Sequence, residues 1–199
     1  MPQLRIRKVA VLGAGVMGAQ IAAHLVNADV DTILFDLPAK EGPPNGIVDK
    51  AIANLGKLSP APFASKSRAA AITPANYDQH LDLLKDCDLI IEAIAERMDW
   101  KKALYDRIEA YVAPHAILAS NTSGLSINGL AEVLPESLHA RFCGVHFFNP
   151  PRYMHLAELI PCAKTAPEVL EGLETFLVTT LGKGVVYAKD TPNFIGNRI

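Results

Sequence analysis

The sequence predicts an α/β fold: a doubly wound, mostly parallel sheet with helices on both faces, plus an antiparallel hairpin region toward the C-terminus. Three observations lead there. Short apolar runs rich in β-branched residues alternate with stretches of helical periodicity. A glycine-rich turn joins the first run directly to the first helix, and two later runs flank an Asn-Pro-Pro break that suits a chain reversal.

Val9 to Leu12 is the first run, apolar throughout as suits a strand covered on both faces. It stops at Gly13. Gly13, Gly15 and Gly18 give a GxGxxG spacing that leads into a helix with Met17, Ile21, Leu25 and Ala28 on one stripe. Gly13 makes the tight turn, Gly15 lets backbone approach a pyrophosphate, and Gly18 lets the helix pack close to the strand. The anion would rest on free N–H groups at the helix start, along Gly13, Ala14, Gly15, Val16, Met17 and Gly18. Val30 to Asp36 is the second strand, and its terminal acid lies 18 residues after Gly18, where a Rossmann-type fold binds the adenosine ribose. Asp36 would accept hydrogen bonds from both ribose hydroxyls and repel a 2′-phosphate, which selects NAD over NADP. The plain alternative is a glycine-rich turn that binds no nucleotide, with Asp36 merely capping.

Nineteen basic against 21 acidic residues leave a net charge of −2, with no nucleic-acid footprint and no polybasic membrane patch. The longest apolar runs, such as that around Leu89 to Ile91, fall far short of the roughly 18 residues that span a bilayer. Cys87, Cys143 and Cys162 are odd in number and widely spaced, so they read as buried, inert thiols, not as a disulfide framework or metal site. Arg5, Arg7 and Lys8 run straight into the first strand and leave no room for a signal or transit peptide, so a cytoplasmic location is expected.

Leu37 to Gly46 is a loop marked by prolines and glycines, and Ile47 to Lys57 a helix with Ile47, Ala51, Ile52 and Leu55 on one side. Lys57, Lys66 and Arg68 around the loop 58–63 read as a solvated face, with phosphate contact to a large anionic substrate as the other reading. Cys87 to Ala93, with Glu92 inside it, is a central parallel strand, and Glu96 follows its C-terminal end, where ligands gather in open α/β sheets. Asp99 is the expected N-cap of the next helix, whose stripe of Trp100, Leu104, Ile108 and Tyr111 or Val112 places Trp100 in the core. Pro114 closes it, and Ala116 to Ser120 is the next strand. In Ser120 to Ser126 the small polar residues either line a ligand or cap, through Thr122 or Ser126, a helix over Ile127 to Val133.

Arg141 to Phe148 and Leu156 to Ile160 read as the arms of a hairpin centred on Arg152. His146 and Glu158 each lie six residues from that centre, so they oppose one another on one face. A carboxylate on one ring nitrogen would fix the tautomer and free the other to take a proton, although a lone His beside phenylalanines also reads as a core residue. An amphipathic helix over Pro167 to Leu181 and a strand over Val185 to Lys189 follow. A new apolar helix then starts at Asp190, dividing the chain into a domain at 1–190 and the beginning of a second at 191–199.

GAGVMG at 13–18, EAIAE at 92–96, SNTS at 120–123, HFFNP at 146–150 and DTPNFIGNR at 190–198 stand in the order found in the 3-hydroxyacyl-CoA dehydrogenase family, which the chain resembles over essentially its whole length. The resemblance implies NAD-dependent oxidation of (S)-3-hydroxyacyl-CoA to 3-ketoacyl-CoA in fatty-acid β-oxidation. His146 would be the general base and Glu158 its orienting carboxylate, with Ser123 and Asn197 on the reacting oxygen. Glu96, Lys101, Ser123 and Asn149 would lie near the ribose and nicotinamide, and Asp36 at the adenosine ribose. Coenzyme A contacts do not carry over securely, Lys57 being the one candidate. The family's helical C-terminal domain closes over the acyl chain and forms most of a dimer interface, which implies an acyl-CoA substrate and a homodimeric parent protein. Two other readings stay open: a dehydrogenase of a free hydroxy acid, like the L-gulonate or lens-crystallin relatives, and an NAD-binding module without catalysis.

Overall fold

The computed structural model describes residues 4–198. Its strands are β1 (Lys8–Leu12), β2 (Asp31–Asp36), β3 (Ile72–Asn76), β4 (Leu89–Glu92), β5 (Ile117–Ser120), β6 (Phe142–Phe147), β7 (Leu156–Pro161) and β8 (Gly184–Tyr187), joined in one sheet in the order β3-β2-β1-β4-β5-β6-β7-β8. Neighbours are parallel except β6 and β7, which are antiparallel. The helices are α1 (Val16–Asn27), α2 (Gly46–Leu55), α3 (Met98–Ile108), α4 (Ile127–Val133) and α5 (Pro167–Thr175). No described helix is long and apolar enough to cross a membrane.

Side chains alternate along a strand, so β1 feeds two cores at once. Val9 and Val11 pack with Leu25, Leu34 and Leu173 on one face of the sheet. Ala10 and Leu12 pack with Phe35, Tyr105, Ile108 and Phe142 on the other. Helices cover both faces, which is why β1 is continuously apolar. Strand order reverses at β1, between β2 and β4, and the C-terminal ends of these three parallel strands open a crevice there.

Several expectations are corrected. Residues 72–76 lack a strand pattern yet form edge strand β3 along β2; Pro74 disguises it, since proline is acceptable where one side of a strand has no ladder partner. α3 starts after Arg97, not Asp99. Asp99 sits in the first turn and takes two hydrogen bonds from the Arg97 guanidinium, at 3.2 and 2.9 Å. The buried face of α3 is Lys101, Leu104, Tyr105 and Ile108, and Trp100 is 52 % exposed instead of core. Periodicity misplaced this face because one of its buried members is a lysine. The helix begun at Pro167 widens into a π-type turn over Phe176–Thr180. From Asp190 the chain makes turns and a short 3-10 stretch, Gly196–Arg198, in place of the expected helix; Asn193 and Phe194 have φ of +63° and +51°, which a right-handed helix excludes. The last residue of that expectation, Ile199, lies outside the described residues.

Candidate active site

Gly13 ends β1 with φ of +103°, where a side chain is strained, and a Cβ there would come within 2.8 Å of the Ala93 carbonyl oxygen. At Gly18 a Cβ would overlap the Gly13 carbonyl oxygen, so α1 lies against the turn as closely as backbone allows. Gly15 differs, for a Cβ would meet nothing within 4 Å. It is the N-cap of α1, with no side-chain capping bond and no acidic residue in the first turn. The 12-residue helix therefore turns its orphan N–H groups and positive dipole end toward open space, which fits a pyrophosphate. Val16 is exposed there, while Ala14 and Met17 are half-buried.

A cavity of about 430 Å³ continues from this point, lined by Gly13, Gly15, Asp36, Ile94, Trp100 and Arg107 among others. The Asp36 carboxylate, at the end of β2, accepts the Ala14 and Leu37 N–H groups, each at 2.7 Å, which fixes it at the cavity wall. The Arg97 guanidinium lies 4.5 Å over the Trp100 ring, holding the exposed indole as another wall. Tyr77, stacked on Phe35, also lines the cavity, and its hydroxyl is buried without a hydrogen-bond partner. Burial, reinforced by the Asp36 charge, holds that phenol far above its ordinary pKa, so it stays a neutral donor.

Beneath the loop that follows β4 lies a dry ionic cluster. Glu92 accepts from Lys101 Nζ at 2.5 Å, Ser120 Oγ at 2.7 Å, the Ile94 N–H at 2.8 Å and Tyr105 OH at 2.9 Å. Glu92 and Lys101 are fully buried, so Lys101 sits under the cavity floor, not on its surface. Glu96 is exposed at the end of the loop, 4.0 Å from Lys101 Nζ, and accepts from Thr122 Oγ1 at 2.5 Å. Ser123 follows Thr122 and is half-buried. Both hydroxyls read as possible caps act structurally: Ser126 accepts the Gly129 N–H at 3.0 Å and caps α4, and Thr122 accepts the Leu125 N–H at 3.0 Å.

The hairpin of β6 and β7 pairs His146 directly with Glu158. His146 Nδ1 lies 3.2 Å from Glu158 Oε1, with the His146 side chain 6 % exposed and the carboxylate fully buried. A carboxylate that accepts at this position pairs with the tautomer that has its proton on Nδ1 and its lone pair on Nε2. Phe148 and Phe194 flank the ring, with centroids 4.5 and 5.7 Å away. Asn149 is held by Gln20, whose Nε2 donates to Asn149 Oδ1 at 3.2 Å. Asn197 is exposed in the 3-10 turn. The structure thus pairs His146 with Glu158, brings Asn149 to the glycine loop, and holds Lys101 below the cavity floor.

A second cavity, about 680 Å³, opens on the other side of the glycine loop and is lined by Val16, Gln20, Lys50, Asn54, Ser59 and Asn149 among others. Lys57 is exposed and off this lining; Lys50 is the lysine on it. Gln20, Lys50 and Asn54 carry no assignment from the sequence. Lys50 and Asn54 stand four apart on α2, so a polar helical face was the signal for them, and Gln20, only 7 % exposed, is a polar residue inside the apolar stripe of α1. The three cysteines are buried, and burial pushes the Cys87 and Cys143 thiols up to about 12.

The family model described as 3-hydroxyacyl-CoA dehydrogenase, NAD binding domain, matches residues 8–191. A Deinococcus radiodurans protein named probable 3-hydroxyacyl-CoA dehydrogenase is 44% identical over 197 residues, covering 98% of this chain and 57% of the relative. A 3-hydroxybutyryl-CoA dehydrogenase of Bradyrhizobium diazoefficiens is 38% identical over 201 residues, covering 98% and 65%. The chain thus spans less than two thirds of the length of these curated relatives. The crystal structure of 3-hydroxybutyryl-CoA dehydrogenase from Escherichia coli superposes with a TM-score of 0.81 at 32% identity, covering 98% of this chain and 40% of that one.

Proposed function

The chain belongs to the 3-hydroxyacyl-CoA dehydrogenase family as its NAD-binding domain, and from that premise we propose that it carries the cofactor site and the proton-transfer site of an NAD-dependent oxidation of (S)-3-hydroxyacyl-CoA to 3-ketoacyl-CoA in fatty-acid oxidation. The observation that carries the reading is the buried His146–Glu158 pair. In this reading the uncapped start of α1 takes the pyrophosphate, and Asp36 takes the ribose hydroxyls at the mouth of the adjoining cavity.

Bound NAD supplies the acceptor for the substrate's carbon-bound hydride. His146 removes the hydroxyl proton through Nε2, and Glu158 offsets the positive charge that the imidazole gains. Burial among Phe148 and Phe194 keeps bulk water from competing for that nitrogen. Ser123 and Asn197 hydrogen-bond the reacting oxygen, while Asn149, held by Gln20, and Glu96 line the nicotinamide side. The cavity beside α2 suits the thioester's anionic carrier, with Lys50 as its cation. Residues 1–190 form the NAD-binding unit in this proposal and 191–199 lead toward the helical domain, to which acyl selectivity and homodimerisation of the whole protein are assigned.

His146→Gln is expected to leave NADH affinity unchanged by calorimetry and to abolish NADH-dependent reduction of acetoacetyl-CoA. Turnover surviving that change would assign the base elsewhere. A free hydroxy acid oxidised in preference to the thioester would favour the L-gulonate-like reading.

A further inference from the structure

Glu158 orients His146 in the reading above, and a separate segment of the chain in turn orients Glu158. Glu158 Oε2 accepts the Ile195 N–H at 2.8 Å, and Oε1 accepts the Gly196 N–H at 3.2 Å while facing His146 Nδ1 at the same distance. Because the carboxylate is fully buried, a lost donor has no easy replacement by bulk water. The segment reaches this position through Asn193 and Phe194, both at positive φ. Phe194 is 2 % exposed and packs edge-on against the imidazole. A bulky residue persists in that conformation only where its surroundings over-determine it.

Two anchors do so. At the far end, a Cβ on Gly196 would overlap the Phe148 ring and come within 3.1 Å of Glu158 Oε1, so the chain lies against the site at van der Waals distance. At the near end stands Asp190. Its carboxylate accepts from Ser126 Oγ at 2.7 Å, the Ile127 N–H at 2.8 Å, and the N–H and side-chain amide of Asn128, each at 2.9 Å. Asn128 Oδ1 accepts the Ala163 N–H at 2.9 Å, which fixes the amide that serves Asp190. Burial opposes the charge on Asp190, but the bonds from Ser126, Asn128 and Ile127 outweigh it and hold the carboxyl below its ordinary range.

We propose that Asp190 is a positioning residue for the base: it pins the strap 190–196 to the start of α4, the strap holds Glu158 through two backbone amides, and Glu158 keeps His146 as the Nδ1–H tautomer with Nε2 free. Asp190 touches none of the reacting groups and acts through two intermediaries. An anchor that served only the fold would leave the tautomer of His146 unchanged.

The proposal rests on reading His146 as the base, and its test separates the two. Long-range 15N–1H spectra of the His146 ring report the tautomer without any substrate. The unmodified chain is expected to show Nδ1–H, and Asp190→Asn and Glu158→Gln a mixture with substantial Nε2–H. Ser126→Ala, which removes one donor to Asp190 and keeps three, is expected to fall between and carries the test if Asp190→Asn does not fold. In NADH-dependent acetoacetyl-CoA reduction, Asp190→Asn should lower kcat about 10- to 100-fold with the NADH Kd unchanged, and add little in the Glu158→Gln background. A folded Asp190→Asn with an unchanged tautomer overturns the proposal, as does an effect that multiplies with that of Glu158→Gln. A tautomer that responds to Asp190 in a protein whose acetoacetyl-CoA reduction survives His146→Gln would sink the assigned base and support the positioning role.

Discussion

Replacing Lys101 by Met tests whether the ionic cluster below the cavity floor is as dry as its geometry indicates. The ammonium lies 2.5 Å from Glu92, and both side chains are fully buried. In Lys101→Met the carboxylate keeps three neutral donors, from Ser120, Ile94 and Tyr105, and loses its only countercharge within 4 Å among the described residues. Stranding one partner of a buried pair costs about 3–5 kcal/mol. Against a total stability on the order of 5–15 kcal/mol the variant still folds at low temperature. At roughly 2–4 °C per kcal/mol for a chain of this size, the melting temperature should fall by about 6–20 °C. Glu92→Gln combined with Lys101→Met removes both charges and keeps an acceptor for Tyr105 and Ser120, so the double variant should be more stable than Lys101→Met alone. Urea titrations of the three proteins measure this. The reasoning is refuted if Lys101→Met costs under about 1 kcal/mol, as a hydrated surface pair would, or if the double variant is less stable than Lys101→Met. Loop residues Ala93, Ile94 and Ala95 line the cavity proposed for the cofactor, so Lys101→Met should also weaken NADH binding although Lys101 itself is buried beneath them.

Three further outcomes follow from the same geometry. Asp36→Ala removes the acceptor for the Ala14 and Leu37 N–H groups and the charge proposed to repel a 2′-phosphate, so calorimetry should show weaker NADH binding and a preference over NADPH reduced by about tenfold or more, about 1.4 kcal/mol. Gly18→Ala should fail to bind NADH or fail to fold, because its Cβ would overlap a backbone oxygen that cannot move without displacing β1; native-like melting and affinity would contradict the close approach. Burial, together with the nearby Lys183 and Arg152 charges, lowers the His24 pKa from 6.5 to about 4. The unfolded chain therefore binds a proton in that interval that the folded chain does not, and stability should be lost as pH falls from 6.5 toward 4; a melting-temperature profile in which His24→Gln stays parallel to the unmodified chain would contradict this.

The legible parts of the molecule are those whose determinants lie close together in the chain. The β1 run, the glycine turn and the first turn of α1 fall within one short stretch, and the His146–Glu158 register followed from equal spacing about a hairpin centre. What stayed hidden is polar and long-range. Lys101 occupies a core position of α3 because Glu92 waits there, and a hydrophobic stripe cannot show an ion pair, so the stripe puts Trp100 in the buried place that Lys101 holds. Gln20 meets Asn149 from 129 residues away and Asp190 meets Ser126 from 64, distances at which no periodicity speaks. The same reason explains the last segment. Its apolar residues suggest a helix, but two of its backbone N–H groups bond to Glu158, and an amide bonded to Glu158 is one that does not close a helical turn. A buried carboxylate that takes donors from the backbone reshapes the chain around it. Glu92 and Glu158 both do so, one beneath the cavity proposed for the cofactor and one behind the proposed base, which is why the sequence missed most at the two places where the proposed site is assembled.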